Sequence, residues 1–303
     1  MQDLMVNDLG GYTRGPALEI ELGSNELGRF AHPATAVVES VASERATTEH
    51  DFSWTGRSDD QGMSPRAVKP RSSWTRVADA KTWPFRANGW LGTKTGNGVR
   101  YGSGTIVLGS RHVLTAAHNL FTPGVGWCTE SVFMPARQDQ NMPYGTFTGV
   151  KCAICPDYAR NPSTETDWGI VILDRSPGIK PLCIANMTDW GFGNCELSIA
   201  GYPHRNDPPP TPPNVITDEL GRQMWTDHGR ATGWHPNRVD HTLDIWIGHS
   251  GAALWYVNAD NRREYAVAVQ STHTPPSAPT VNHATRLGDA WFDMIVKWIQ
   301  NNP

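Results

Sequence analysis

Apolar positions along this chain alternate over short runs bounded by glycine and proline, and only near the C-terminus do they take helical spacing. Residues 100–108 read as a strand that turns at Gly109-Ser110 into the next, Val113-Leu114-Thr115-Ala116-Ala117-His118. Further strands are predicted at 131–134, 146–154, 168–173 and 195–200, with a hairpin around 224–233. A strand at 242–247 comes next, then a pair at 252–256 and 265–270 joined across Asn258-Ala259-Asp260-Asn261. The proline-rich stretch 208–213 excludes a central strand there. The one predicted helix covers 288–300, where Trp291, Ile295, Trp298 and Ile299 share a face. This pattern predicts an all-β protein closed by a C-terminal α-helix.

Residues 1–66 differ in character from the remainder of the chain. They mix acidic and small residues, among them Glu19, Glu21, Glu26, Glu39, Glu44 and Glu49, with few apolar clusters. No basic start followed by an apolar core marks a secretory signal in this sequence. Residues 1–66 are expected to be a pro-segment or flexible N-terminal extension, the alternative being a tail without function. Residues 67–303 form the expected folded domain. The 13 tryptophans, 23 prolines and 29 glycines fit a β-rich, loop-rich unit. A net charge of −4 offers nothing to a phosphate backbone, so no nucleic-acid partner is expected. No apolar run reaches bilayer-spanning length, and no membrane partner is expected.

Three separated segments carry candidate chemistry. Gly248-His249-Ser250-Gly251 reads as a turn presenting a serine nucleophile, in which Gly248 lets its own N–H and that of Ser250 face one oxyanion site. A Gly-rich β-turn with an exposed serine is the plainer alternative. His118 ends an apolar strand after two alanines, whose small size lets the backbone pack while the imidazole turns outward. Asp167 heads the apolar run Trp168-Gly169-Ile170-Val171-Ile172-Leu173 and can orient an imidazole. Asp157 and Asp174 are rival acids, but the first has no strand to bury it and the second lies past the strand's far end. In this reading His118 is the base, Asp167 orients it, Ser250 attacks, and Gly248 and Ser250 hold the oxyanion.

The order His118, Asp167, Ser250 is that of chymotrypsin-like proteases and differs from the subtilisin and α/β-hydrolase orders. From about residue 67 to 303 the chain resembles the glutamyl endopeptidase branch of that family. The likeness extends to Gly126-Trp127 with Met142-Pro143-Tyr144-Gly145, Gly201-Tyr202-Pro203 with Gln223-Met224-Trp225, and Asn282-His283-Ala284-Thr285-Arg286-Leu287 before the helix. The resemblance implies two six-stranded antiparallel β-barrels with the active site between them, an acyl-enzyme mechanism, a protein or peptide substrate, synthesis with a pro-segment, and secretion. A monomer without cofactor or metal is expected.

Departures from the family pattern bear on specificity. Glutamate-cleaving members use a histidine where this chain has Gln270, which brings no positive charge. Asp244 stands where trypsin-like members keep the acid that attracts lysine or arginine. Asp244, Gln270, Ser271, Thr272 and His273 are the expected substrate-binding residues, with 271–273 pairing to the substrate backbone as an added strand. A shift of register by two would bring His273 into question as the pocket residue in place of Gln270. His249 occupies the place of the aspartate that captures a freed amino terminus, so activation by a cut at Arg66-Ala67 or Ala67-Val68 would need another partner. The five cysteines, Cys128, Cys152, Cys155, Cys183 and Cys195, leave one unpaired in a monomer; Cys183 with Cys195 would close a local loop. Cys152-x-x-Cys155 resembles half a zinc site without a second half. Two other readings stand beside the protease: a non-catalytic homologue that binds a peptide or partner in the cleft, and an intracellular quality-control protease.

Overall fold

The computed structural model describes residues 73–96, 98–204, 221–273 and 281–303, together with the strand backbones Met5–Asp8 and Ala34–Val38. Strands that each bury one apolar face need a second sheet surface to cover it, and curling the sheets supplies it. In the first sheet the neighbours run Phe147–Ile154, Gly169–Leu173, His112–Thr115, Gly98–Ile106, Asn88–Thr95 and Glu130–Pro135. The pairs Phe147 with Phe133 and Thr148 with Val132 return the last strand to the first, closing a six-stranded barrel. One long strand meets both neighbours because its register shifts between Gly149 and Lys151, the bend that closure requires.

The second sheet has the order Ala231–Trp234, Arg238–His241, Asn282–Arg286, Glu264–His273, Ala253–Val257, Leu197–Gly201, Trp225–Gly229 and Thr75–Arg76. Its ladder does not close among the described residues, and it forms a half-barrel. The expected two-barrel architecture is present, with one barrel closed and one open. The hairpin predicted around 224–233 is not formed between its own arms. Trp225–Gly229 pairs with Leu197–Gly201 and Ala231–Trp234 with Arg238–His241, so the two arms are consecutive pieces of chain that change partner at Arg230.

The strand predicted at 242–247 is also absent; those residues are irregular. Their backbone groups are held by side chains instead. Asp244 N–H donates to Asp227 Oδ2 at 2.6 Å, Trp246 N–H to His249 Nδ1 at 3.1 Å, and the Leu243 carbonyl accepts from Asn282 Nδ2 at 2.8 Å. Alternation alone does not reveal such competitors for the ladder.

The N-terminal region lends a strand to each sheet. Met5–Asp8 runs antiparallel to Phe147–Ile154, and Ala34–Val38 antiparallel to Cys183–Met187. The cut points suggested at 66–68 and the proline-rich stretch 208–213 lie outside the described residues. The C-terminal helix, Asp289–Asn301, buries Trp291, Phe292, Ile295, Val296, Trp298 and Ile299. Although it comes after the second sheet in the chain, it packs against the first barrel: the Trp298 ring meets His112 edge-on at 6.4 Å, and His112 Nε2 lies 2.8 Å from the Asn302 carbonyl. Burial drives the His112 pKa down to about 4, so at neutral pH the ring is uncharged and its Nε2–H is free to donate to that carbonyl.

Candidate active site

The strand His112–Thr115 is wholly buried and breaks at Ala116, which is extended at φ −78°, ψ 144°. A single helical turn, Ala117–Leu120, comes next and ends where Phe121 becomes extended again. Ala116 and Ala117 are fully buried, so a larger side chain at either would hold this turn off the barrel. The turn is pinned through its carbonyls: Arg100 Nη1 donates to His118 O at 2.7 Å and Thr93 Oγ1 to Asn119 O at 2.7 Å. The His118 side chain is thereby left partly exposed at the seam, with 20% of its surface accessible.

Asp167 lies just before the strand Gly169–Leu173, which pairs with the strand leading to His118. Its two oxygens grip the His118 residue at two points, Oδ2 at 2.7 Å from Nδ1 and Oδ1 accepting the His118 backbone N–H at 2.9 Å. Ser271 Oγ donates to the same Oδ2 at 2.6 Å. Burial by itself would raise the Asp167 carboxyl pKa, but the adjacent imidazole charge and the bonds from His118 and Ser271 outweigh it and hold it below the usual value. The segment is braced from behind. Trp291 of the C-terminal helix donates to Glu165 O at 2.9 Å, and its ring lies 6.1 Å from the buried Trp168.

Ser250 arrives from the other sheet in a loop that fits the first barrel closely. Gly248 and Gly251 both have positive φ, 99° and 89°. A Cβ on Gly251 would overlap Thr115 Oγ1 and Ser103 O, and one on Gly248 would overlap Tyr202 O. Glycine is therefore required twice at these positions, for backbone conformation and for contact. Ser103 is the hub of the seam: its N–H donates to Ser250 O at 2.9 Å, its hydroxyl to Gly248 O at 2.7 Å, and the Tyr202 N–H to that hydroxyl at 2.9 Å. Asn119 Nδ2 adds a bond to Ser250 O at 3.0 Å. Sequence reasoning gave neither residue this role, because nothing beside Ser103 or Asn119 in the chain points to partners in the distant serine loop.

The Ser250 hydroxyl makes a long bond of 3.4 Å to the Ser271 carbonyl and, among the described residues, none to His118. His118, Asp167, Ser271 and Ser250 thus form one continuous contact chain across the seam, with Ser271 as the link between acid and serine. Neither the Gly248 nor the Ser250 N–H makes a hydrogen bond among the described residues.

Two residues expected in the specificity pocket have protein partners. Asp244 is 4% exposed, and its Oδ2 accepts from the Ser73 N–H at 2.5 Å and the Ser73 hydroxyl at 3.4 Å. Gln270 is fully buried, its Oε1 2.8 Å from His241 Nε2 and its amide donating to His283 O at 3.2 Å. Burial lowers the His241 pKa to about 4, so that ring is neutral and donates to Gln270. His283 in turn places Nδ1 2.8 Å from Asp240 Oδ1. Thr272 and His273 end the strand Glu264–His273 opposite His283 and Asn282; their side chains lie outside the described residues. His249 turns inward, 5.9 Å from the Trp74 ring, with its pKa lowered to about 3 by burial.

The geometry finds its counterparts among known proteins. Over 78% of its length the chain matches a Glu endopeptidase structure solved with MPD, at 18% identity, a TM-score of 0.64 and the whole of that chain covered. The chain has the chymotrypsin-like fold. Similar agreement holds for protease Anisep of Arthrobacter nicotinovorans, with a TM-score of 0.57, 18% identity and 73% of this chain against 96% of that one. A thermostable serine protease, AL20, from an extremophilic microorganism matches with a TM-score of 0.58, 18% identity, and 72% and 98% of the two chains. In sequence, the chain is 23% identical over 248 residues to an extracellular metalloprotease of Bacillus subtilis (strain 168), covering 78% of this chain and 71% of that protein. No family model matches the chain. Although that relative is named for a metal, no three His, Cys, Asp or Glu side chains come together to hold an ion among the described residues.

Proposed function

We propose that this chain is a serine endopeptidase that hydrolyses peptide bonds through an acyl-enzyme. The observation that carries the reading is the contact chain from His118 through Asp167 and Ser271 to Ser250 at the seam of two sheets. In the proposed reaction His118 Nε2 takes the Ser250 proton as Oγ attacks the peptide carbonyl, then gives that proton to the departing amine. Water repeats the steps on the ester, returning the serine. Asp167, held ionised by its neighbours, fixes the Nδ1–H tautomer and stabilises the imidazolium. The free N–H groups of Gly248 and Ser250 support an oxyanion site, where loss of one donor costs about 3–4 kcal/mol in comparable enzymes. The reading requires the Ser250 hydroxyl to leave its long bond to Ser271 and swing to His118 when substrate arrives, as apo sites commonly do.

The relative from Bacillus subtilis is named as extracellular, which supports secretion for this chain too. Strict glutamate preference is not part of the proposal. Gln270 is neutral and committed to His241 and His283, and Asp244 is committed to Ser73, so neither supplies a free charge for the side chain before the cut. A library of peptides varied at that position measures the preference directly.

Ser250→Ala should lower turnover of an unfolded protein substrate by several orders of magnitude without loss of the fold. Labelling of the unaltered protein, and not of the variant, by a fluorophosphonate probe separates an enzyme from a non-catalytic binder. Undiminished hydrolysis by Ser250→Ala would remove the proposed nucleophile.

A further inference from the structure

The five cysteines are all reduced in this structure, yet they are not equivalent. Cys128 and Cys152 are both buried, at 1% and 0% exposure, in one apolar cluster of the first barrel. Leu120, which accepts the Cys128 N–H, reaches the space between Gly169 and Ala153 beside Cys152, and the Cys128 thiol lies close enough to Cys152 to act on it. Cys155 is the sequence neighbour that spacing first suggests for Cys152. An odd separation along an extended chain, however, sends successive side chains to opposite faces, and Cys155 lies past the strand's end as the residue before a short helix. Cys183 and Cys195 lie with the second sheet, around Tyr256.

The surroundings of the pair tie it to the candidate site. The Cys128 N–H donates to Leu120 O at 2.7 Å, and Leu120 ends the helical turn that carries His118. Cys152 stands opposite Val171 on the strand that begins two residues after Asp167. A covalent link here would join the chain leaving the histidine to the strand beside the aspartate.

We propose that Cys128 and Cys152 are a disulfide site, closed during oxidative folding, that clamps the histidine-bearing turn of the first barrel to the sheet that positions Asp167. The oxidant is a small or protein disulfide acting by thiol exchange. One cysteine thiolate attacks it and releases one thiol; the second thiolate attacks the mixed disulfide and releases the other. Two S–H bonds and the oxidant's S–S bond are exchanged for one protein S–S bond and two thiols on the reduced oxidant. The reaction belongs to the folding chain, because in the native barrel burial removes both sulfurs from the reagent and raises the Cys152 pKa well above its ordinary value. The same burial then shields the closed bond from reductants. The inference does not depend on the proposed peptidase activity.

The full chain, reduced and unfolded, is refolded in a mixture of oxidised and reduced glutathione, alkylated in denaturant, digested and mapped by mass spectrometry. The expected product is a cross-linked peptide pair containing Cys128 and Cys152, with the alkyl label on Cys155, Cys183 and Cys195. Label on both Cys128 and Cys152, or a link from either to another cysteine, overturns the proposal. Thermal midpoints provide a second reading. The oxidised protein should melt roughly 5–15 °C above the same chain refolded in reductant, and equal midpoints overturn the clamp. The triple variant Cys155→Ser, Cys183→Ser, Cys195→Ser should keep both the link and the difference, whereas Cys152→Ser should abolish them; a midpoint difference that survives Cys152→Ser also overturns the proposal.

Discussion

Asp167 and Asp244 are two buried aspartates, 2% and 4% exposed, that meet opposite electrostatic fates. For Asp167, burial would raise the pKa, but an imidazole and three hydrogen bonds prevail and lower it. For Asp244, burial raises the pKa, the nearby Asp227 carboxylate raises it further, and the bonds from Ser73 and Trp74 do not compensate. Burial alone therefore does not decide what an acid in this fold can do. The partners decide: a carboxylate that remains charged can orient a base, whereas one pushed toward its neutral form is suited to holding a chain segment in place.

The largest expected separation between the two is kinetic. Asp167→Asn should reduce kcat by about 10⁴-fold, as the imidazole loses the acceptor that sets its tautomer. Asp244→Asn should stay within about tenfold of the unaltered protein on neutral peptide substrates, because a hydrogen bond to a charged group is worth roughly 1.5–3 kcal/mol and the amide oxygen keeps most of the contact with Ser73. Equal losses, measured as kcat on one peptide, would erase the distinction.

Ser271→Ala sharpens the comparison from the side of the partner. It removes the 2.6 Å bond to Asp167 and should lower kcat about 10–100-fold, the range expected for one hydrogen bond to a charged group. The acid arm of the stability–pH profile should move to higher pH as well, since the Asp167 carboxylate loses a donor that favours its charged form. A slower enzyme with an unmoved profile would leave Ser271 a packing residue.

The smallest effect is on stability, and its sign differs between the two sites. The Asp167 pKa lies below the reference 3.8, so its contribution to stability is present above that pH and lost as pH falls further. The Asp244 pKa lies above 3.8, so its contribution is present in acid and lost as pH rises through the raised value. At neutral pH Asp244→Asn should therefore raise the thermal midpoint by roughly 2–4 °C, the shift expected from about 1 kcal/mol in a domain of this size. That gain should shrink near pH 3. Asp167→Asn should lower the midpoint at neutral pH, and its deficit should shrink on acidification. Shifts of the same sign at pH 7 would contradict the opposite titrations.

The residues that sequence reasoning found best were those fixed by local chemistry. Gly248 could be read as necessary because a serine presented on a tight turn needs a backbone that glycine adopts readily, and its φ is 99°. Alternation identified the strands Phe147–Ile154 and Gly169–Leu173, and helical spacing identified Asp289–Asn301. His118 and Asp167 were legible as candidates for a base and an acid because each stands at the edge of an apolar strand, and the structure places the two side chains 2.7 Å apart.

What pattern and spacing could not supply were the partners chosen by folding at long range. Whether Asp244 points to a substrate or to Ser73, 171 positions away in the chain, depends on where the segment at 73 runs over the second sheet. The irregular stretch 242–247 alternates like a strand but gives its backbone groups to Asp227 and Asn282, set in place by other strands, and to His249 in the adjoining turn. The Cys128 thiol comes close to Cys152 only once the barrel has closed. Sequence by itself determined many of the strands, the C-terminal helix, the chemical groups and the glycine before the serine, because these arise from periodicity, reactivity and backbone sterics within a few residues. Tertiary structure decided which group meets which, since hydrogen bonds and electrostatic fields fall off over a few ångströms and take no account of distance along the chain.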